Sequence, residues 1–411
     1  MKISLYTLSS SIHDPSSLES SSNSFLEEIA QSADCEFEAK EENFTDFRGA
    51  EMPVIFIRTG GTEGKFKQIF PLVKNTYIRL LTSGMSNSLA ASMEILSYLR
   101  QHGSQGEILH GSSLYIAQHL KNDYQVELAR KKLNGARLGV IGKPSDWLIA
   151  SDVSRETIRK KLGIELIDIP ISELVDEVNE VNMQSLRWNT LLQSQEMQHF
   201  NKHAPKKLIQ YRDGAFRIYL ALENLIEKYQ LYGFTLRCFD LLALLHNTGC
   251  IALAIFNAKG TPACCEGDIP ALLTMCIGQA LTGYAGFQAN PSRIDIDAHQ
   301  MIFAHCTMPL NMVKNYTYNT HFESGIGIGL KGEFEEGYVT IAKISGDLNR
   351  SWFQPALLID NLSECNLCRT QIVLQGENFA DYFLNIPIGN HHIIFKNNIC
   401  NLFEKFMQRL Q

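Results

Sequence analysis

The first part of the chain alternates between short apolar runs and amphipathic segments. The apolar runs predict strands at Lys2–Leu8, Pro53–Ile57 and Tyr77–Thr82. Amphipathic segments at Phe25–Ala33 and Ala90–Arg100 predict helices that follow the first and the third of these strands. Because continuous apolar strands that alternate with helices are typical of parallel sheets, we expect an N-terminal parallel α/β domain.

A second unit with the same alternation follows Gly135. Its pattern predicts a strand at Arg137–Gly142, a helix near Ser154–Leu162 and a strand at Ile164–Ile171. A long helical stretch comes next, and a shorter helix is predicted at Ile269–Ala280. Around that helix the apolar runs predict further strands at Phe234–Phe239, Cys250–Phe256 and Gly286–Ala289.

The pattern changes again beyond Pro309, where short strands follow one another between Gly and Asn turns. These strands are predicted at Gly325–Leu330, Tyr338–Ile344, Ala356–Ile359 and Gln371–Val373. Consecutive strands without intervening helices favour an antiparallel sheet. The predicted fold is therefore α/β, with two Rossmann-like parallel-sheet domains followed by a smaller antiparallel β domain. The predicted domains are residues 1–134, 135–310 and 311–411.

Composition narrows the functional classes. The chain has 37 Lys and Arg against 44 Asp and Glu, a formal charge of −7, which argues against a nucleic-acid binder. No apolar run approaches the roughly 18 residues of a membrane span. Met1–Leu8 lacks the longer apolar segment and cleavage site of a signal peptide. We expect a cytoplasmic protein without a membrane partner, whose cysteines stay reduced.

One short segment combines two carboxylates with a glycine between an apolar strand and an apolar helix. Asp268 is a good helix N-cap, whereas Glu266 needs a partner if it is buried among apolar residues. His305 ends a strand-like run, and His391 and His392 follow a glycine-containing turn. One carboxylate together with histidines from distant segments is a common ligand set for a divalent transition metal, although each histidine alone is more often a buried hydrogen-bonded residue.

The chain resembles the L-fucose and L-arabinose isomerases in four short elements that occur in the family's order. Residues 266–268 resemble a Glu-Gly-Asp element whose Glu binds manganese, and residues 287–290 align with a Phe-Met-Glu-Asp element. Residues 305–309 resemble a later His with a nearby Cys-Pro, and residues 389–392 resemble a C-terminal Gly-x-His-His element. The resemblance implies the three-part α/β fold predicted above.

The resemblance also implies an activity and a cofactor. It implies an aldose–ketose isomerase that acts on a deoxyhexose or pentose through a cis-enediol. The cofactor would be Mn²⁺ or another divalent cation, with Glu266, His305 and either His391 or His392 as ligands. His391 is favoured, since fucose-type enzymes follow this ligand with an aromatic residue. The family further implies a homo-oligomer, either a hexamer or a trimer.

Catalytic roles are implied for Glu266, Asp268 and Asn290. The family's second acid falls here on Ala289 or Asn290. An asparagine oxygen can coordinate a metal, but an amide cannot act as a general base. The expected site therefore lacks one of the family's two acids at its usual position.

Three functions remain open at this point. Asp295 and Asp297 could replace the second acid, although surface caps or ion pairs are the better explanation for them. Without a second acid, the same fold could serve as a non-catalytic sugar-binding or regulatory protein. A lyase or epimerase that uses an enediol is the third possibility. A small-molecule sugar is the expected partner in the first two cases.

Further residues are candidate contacts for the sugar. Four of them, at positions 58, 59, 83 and 85, follow predicted strands, where ordinary turns with glycine or serine are the simpler interpretation. Trp147 could stack on a sugar ring or simply pack against other residues. His321 shares one face of a predicted strand with Glu323. These candidates are Arg58, Thr59, Ser83, Met85, Trp147 and His321.

Overall fold

The computed structural model of the chain describes residues 1–11 and 15–410, which form two compact units, Met1–Glu127 and Leu128–Gln411. Each unit contains a parallel sheet, and the second also contains a closed antiparallel barrel. The α/β fold class with its antiparallel C-terminal part is therefore confirmed. Within the described residues, no helix combines the length and the apolar character that a bilayer-spanning segment requires.

The first unit is built on a five-stranded parallel sheet with the strand order β2-β1-β3-β4-β5. Every residue of β3 and β4 is buried, as expected for the inner strands of a parallel sheet. The strands are β1 (Lys2–Leu8), β2 (Glu36–Glu41), β3 (Pro53–Ile57), β4 (Ile78–Leu81) and β5 (Gly106–Leu109). The helices are α1 (Pro15–Ala33), α2 (Glu63–Val73), α3 (Ser88–Gln101) and α4 (Ser113–Leu133), the last of which extends past Glu127.

The second unit begins with a four-stranded parallel sheet in the order β7-β6-β8-β9. Its strands are β6 (Arg137–Ile141), β7 (Glu165–Ile169), β8 (Leu231–Leu236) and β9 (Ala263–Cys265). Its helices are α5 (Arg155–Leu162), α6 (Ile171–Glu180), α7 (Leu186–Leu192), α8 (Gln195–His203), α9 (Ile209–Tyr229), α10 (Asp240–Leu245), α11 (Cys250–Ala258) and α12 (Ile269–Thr282).

One predicted strand in this region is wrong. The run Cys250–Phe256 lies in helix α11, and eight of the nine residues of that helix are buried. A helix that is apolar on all sides shows no periodicity of 3.6 residues, so its sequence resembles that of a buried strand.

Six antiparallel strands close into a barrel in the order β10-β11-β16-β15-β14-β17. They are β10 (Phe287–Asp295), β11 (Gln300–His305), β14 (Gly337–Ile344), β15 (Ser351–Asn361), β16 (Thr370–Gln375) and β17 (His392–Lys396). A separate antiparallel pair comprises β12 (Val313–Asn319) and β13 (Gly329–Phe334), and α13 spans Cys400–Gln408. Two strands of the barrel, β10 and β11, precede residue 311, where the third domain is predicted to begin. The division into three domains stays a prediction.

Candidate metal centre

Three buried side chains from separate parts of the second unit converge on one point. Glu266 lies in the turn between β9 and α12, His305 ends β11, and His391 immediately precedes β17. The Oε1 atom of Glu266 lies 3.4 Å from Nε2 of His391 and 3.9 Å from Nε2 of His305. One potential ligand atom from each residue lies within 4.8 Å of the others, so the three could hold a metal ion.

The turn that carries Glu266 depends on backbone conformations that are rare for most residues. Glu266 has a φ of +65° and Gly267 a φ of +69°, and a Cβ atom at position 267 would lie 2.5 Å from the carbonyl oxygen of Lys143. Only glycine fits this close approach without strain. The amide of Ser145 donates to the carbonyl of Glu266 over 2.9 Å, so the loop after β6 holds the turn in place.

Asp268 connects the start of a helix to one of the candidate ligands. Its Oδ1 accepts a 2.8 Å hydrogen bond from the amide of Ala271, which makes Asp268 the N-cap of α12. Its Oδ2 accepts a 2.9 Å hydrogen bond from Nδ1 of His391. A carboxylate on the second ring nitrogen orients a metal-ligating histidine in many proteins. Asp268 therefore does two things at once: one of its oxygen atoms caps α12, and the other holds the far side of the His391 ring.

The charges of the cluster are strongly coupled. Burial by itself raises the pKa of Glu266, but the contact with His391 outweighs burial and lowers this pKa to about 2. Burial by itself lowers the pKa of His391, but its contacts with Asp268 and Glu266 raise it to about 9. Burial lowers the pKa of His305 to about 3. At neutral pH the metal-free cluster therefore contains a carboxylate, an imidazolium and a neutral imidazole.

His392 lies outside the cluster, although it is the immediate neighbour of His391. Its Nδ1 donates to the carbonyl of Asn390 over 2.8 Å, and its Nε2 accepts from the hydroxyl of Tyr382 over 2.9 Å. Both ring nitrogens therefore have protein partners. Of the two adjacent histidines proposed from the sequence, the structure brings only His391 to Glu266 and His305.

Aromatic rings lie beside Glu266. The indole Nε1 of Trp147 donates a 2.6 Å hydrogen bond to Oε2 of Glu266, and about half of the Trp147 side chain is exposed. The ring of Phe239 meets Trp147 edge-on at 4.9 Å and the ring of His321 at 5.5 Å. Trp147 and His321, both proposed from the sequence, thus lie near the cluster. The sequence interpretation missed Phe239, whose only signal is its place shortly after β8.

The polar segment around His321 is a turn rather than the predicted strand. The amide of Gly325 donates to the carbonyl of His321 over 3.0 Å, and Nδ1 of His321 lies 3.1 Å from the hydroxyl of Ser324. Desolvation and the charge of Glu266 raise the pKa of Glu323, an exposed residue in the same turn, above its ordinary value of 4.5. A second carboxyl group therefore lies within electrostatic reach of Glu266.

The acids considered as replacements lie elsewhere. Asp295 ends β10 at the hairpin turn to β11 and Asp297 lies in that turn, where Oδ1 of Asp295 accepts from the amide of Ala298 over 3.0 Å. Asp295 pairs with Gln300, at the opposite end of β11 from His305. Five residues of strand correspond to about 17 Å, so this turn is far from the cluster.

Asn290 lies near the cluster but is engaged with another residue. Its Oδ1 accepts a 2.8 Å hydrogen bond from Nδ2 of Asn390, the residue before His391. Ala289 is fully buried in the barrel and pairs with His392. A catalytic or ligating role for Asn290 stays a prediction.

The remaining sugar-contact candidates belong to the first unit. Nε of Arg58 donates to Ser22 over 3.3 Å, and the fully buried Thr59 accepts from the amide of Ser10 over 2.9 Å. Ser83 accepts a 3.4 Å hydrogen bond from the amide of Met85, whose side chain is exposed. The contact of Arg58, Thr59, Ser83 and Met85 with a sugar stays a prediction.

Comparison with known proteins supplies independent information. No protein-family profile matches the chain. The chain is 23% identical to a sulfoquinovose isomerase of Priestia aryabhattai over 267 residues, which cover 63% of this chain and 59% of that relative. A sulfoquinovose isomerase of a Clostridium species is 28% identical over 96 residues, which cover 23% of this chain and 22% of the relative. The chain is therefore similar to sulfoquinovose isomerases, and the longer match spans 59% of the relative's length.

Proposed function

We propose that the chain is an aldose–ketose isomerase that depends on a divalent cation, Mn²⁺ or another, held by Glu266, His305 and His391. The observation that carries the proposal is this buried group of one carboxylate and two imidazoles, which matches the ligand types of divalent transition metals. The similarity to sulfoquinovose isomerases supports the reaction class.

The ligand set fits a metal ion because the nitrogen atom of His391 that faces Glu266 lacks another partner. Among the described residues, Nε2 of His391 is buried, has no hydrogen-bond partner and lies 3.4 Å from Oε1 of Glu266. Buried polar side-chain atoms in proteins are nearly always hydrogen-bonded. A divalent cation would be coordinated by Nε2 of His391, a nitrogen of His305 and Oε1 of Glu266.

Isomerisation of an aldose moves a proton between two adjacent carbons, one of which carries the carbonyl group. A bound divalent cation would supply Lewis-acid stabilisation of the negative charge that develops on the sugar oxygens. Glu266 presents Oε1 to the two histidines while Trp147 holds its Oε2. Asp268 orients His391, and the ring of Phe239 packs edge-on against the ring of Trp147 beside the site.

The proton transfer needs a carboxyl group within reach of the sugar. Under this proposal, Glu323 takes that role. The position of the family's second acid is occupied here by Ala289 or Asn290, and neither side chain can act as a general base. The raised pKa of Glu323 suits a group that must both accept and return a proton. Asp295, at the end of β10, and Asp297, in the turn that follows, are too far from the cluster to take part.

The substrate is the finer part of the proposal. The similar proteins act, by name, on sulfoquinovose, so this aldose is the first compound to test, before the deoxyhexoses and pentoses that the sequence resemblance implies. A cytoplasmic homo-oligomer, hexamer or trimer, belongs to the same proposal.

The test combines metal content with turnover in the purified full chain. After incubation with Mn²⁺ and desalting, we expect about one equivalent per chain, retained in H392Q and lost in H305A. Sulfoquinovose and a panel of other aldoses are then assayed for ketose formation, which E266Q should abolish. Bound metal without turnover of any aldose would favour the non-catalytic sugar-binding protein. No retained metal in the wild type would contradict the proposal.

A further inference from the structure

A buried lysine lies behind the candidate metal centre with no role assigned so far. Lys343 on β14 is fully buried, and among the described residues its Nζ has no hydrogen-bond partner. Placing an ammonium group in a protein interior costs several kcal/mol, even after relaxation of the surroundings. A methionine would pack in the same space without that cost, so the charge itself needs an explanation.

The charge faces Asp268. Nζ of Lys343 lies 4.0 Å from Oδ2 of Asp268, the same oxygen atom that accepts the hydrogen bond from Nδ1 of His391. Asp268 is also fully buried.

The strand pairing places Lys343 beside the segment that carries His391. Strands β14 and β17 are neighbours in the barrel, with Ala342 paired to Ile393. A Cβ atom at Gly389 would lie 3.7 Å from Cε of Lys343, so the end of the lysine lies against the backbone that leads into His391. Lys343 therefore faces the carboxylate that orients His391 and lies beside the turn that leads into His391.

The chemistry of a metal-ligating histidine explains why Asp268 needs a second cation. A histidine that coordinates a metal does so as a neutral imidazole. His391 then still donates its Nδ1–H to Asp268, but it no longer balances the charge of the buried carboxylate. Lys343 supplies a counter-charge that does not depend on the state of His391.

We propose that Lys343 is a positioning residue, whose ammonium group balances Asp268 so that Asp268 keeps the Nε2 atom of His391 directed at Glu266 and His305. This inference rests on the proposed metal site. It adds Lys343 to Asp268 and His391 as a third residue that supports the site.

The first experiment measures Mn²⁺ affinity by competition with a chromophoric chelator. We expect K343M to bind Mn²⁺ about 10- to 100-fold more weakly than the wild type, the range found when residues behind metal ligands are changed. In a D268N background, where asparagine can still cap α12, K343M should change the affinity by less than about threefold. K405M removes another buried lysine, on α13, and should leave the affinity unchanged.

The second experiment reads the position of His391 without any metal. The proton between His391 and Asp268 should give a far-downfield ¹H NMR resonance, assigned by its loss in H391Q. K343M should shift or broaden this resonance, and K405M should not. An unchanged resonance in folded K343M would overturn the inference, as would an equal loss of Mn²⁺ affinity in the D268N background.

The two readouts separate this inference from the proposed function. If the wild type binds no Mn²⁺ but K343M still moves the resonance, the proposed function fails and the role of Lys343 stands. If K343M does not fold, the double variant K343M/D268N decides the matter. Recovery of folding in the double variant supports the charge balance, because both buried charges are then gone. Failure of the double variant, when D268N alone folds, contradicts it.

Discussion

The indole N–H of Trp147 donates a 2.6 Å hydrogen bond to Oε2 of Glu266, while Oε1 of the same carboxylate faces His391 at 3.4 Å. The two oxygen atoms of Glu266 therefore have different partners. Glu266 would bind a metal through one oxygen atom, with Trp147 setting the orientation of the carboxylate.

Replacement of Trp147 by phenylalanine keeps an aromatic ring but removes the N–H donor. A hydrogen bond to a charged group contributes about 1.5–3 kcal/mol, so W147F should weaken Mn²⁺ binding roughly 10- to 100-fold. Chelator competition measures this effect. The control is W188F, a change within the buried face of α7. Equal Mn²⁺ affinity in W147F and the wild type would mean that the hydrogen bond does not orient Glu266.

The two adjacent histidines should behave differently. H391Q should lower Mn²⁺ affinity by more than the 10- to 100-fold typical of residues behind a ligand, because it removes a ligand atom. H392Q should stay near the wild-type affinity, because both nitrogens of His392 are engaged with Asn390 and Tyr382. Metal content after desalting distinguishes the two, and thermal unfolding of both variants checks that each is folded. Loss of metal in H392Q alone would reverse the assignment.

The histidines also predict how the stability of the metal-free protein depends on pH. The pKa of His391 is raised from 6.5 to about 9, so its stabilising contribution is present below pH 6.5 and is lost as the pH rises towards 9. The pKa values of His305 and His392 are lowered to about 3, so they destabilise the fold as the pH falls below 6.5. The melting temperature with a chelator present should therefore fall between pH 6.5 and 9.

H391Q is the control for this pH dependence. It should remove most of the decrease in melting temperature between pH 6.5 and 9, because the proton that His391 gains on folding is then absent. A wild-type melting temperature that stays flat or rises over that interval would show that His391 does not gain a proton on folding.

Glu323 is predicted to carry the proton transfer. E323Q should retain bound Mn²⁺ but lower kcat roughly 10²- to 10⁴-fold, the usual contribution of a general acid–base group. D295N changes an acid in the hairpin turn between β10 and β11 and should leave kcat unchanged. The measurement is ketose formation from the best aldose of the panel, with metal content determined in parallel. A normal kcat in E323Q would assign the proton transfer to another group.

Local patterns predicted much of the framework. The alternating apolar and amphipathic segments predicted β3, β6 and α12 to within a few residues. The Glu266–Asp268 segment stood out because Glu266, between an apolar strand and an apolar helix, needs a partner if it is buried. Asp268 followed by Pro270 predicted the helix cap that the structure contains. These features depend on neighbours in sequence, and the sequence carries that information directly.

The errors of the sequence-based predictions also have local causes. The run Cys250–Phe256 predicts a strand because a helix buried on all sides has no polar face to reveal its period. His321 and Glu323 were expected on one strand face, but a turn closed by the amide of Gly325 places them differently. In the sequence, Gly325 alone indicated this turn less strongly than the alternating positions of His321 and Glu323 indicated a strand.

By itself, the sequence determined that the protein has α/β units, that an acidic turn precedes α12 and that histidines near the C-terminus are candidate ligands. Only the tertiary structure decided that His391 rather than His392 meets Glu266, because adjacent residues at the start of a strand point in opposite directions. It also decided that Lys343 faces Asp268, a contact between residues 75 positions apart along the printed sequence. The closure of the barrel sets such contacts, and pairing between distant strands leaves little trace in local patterns.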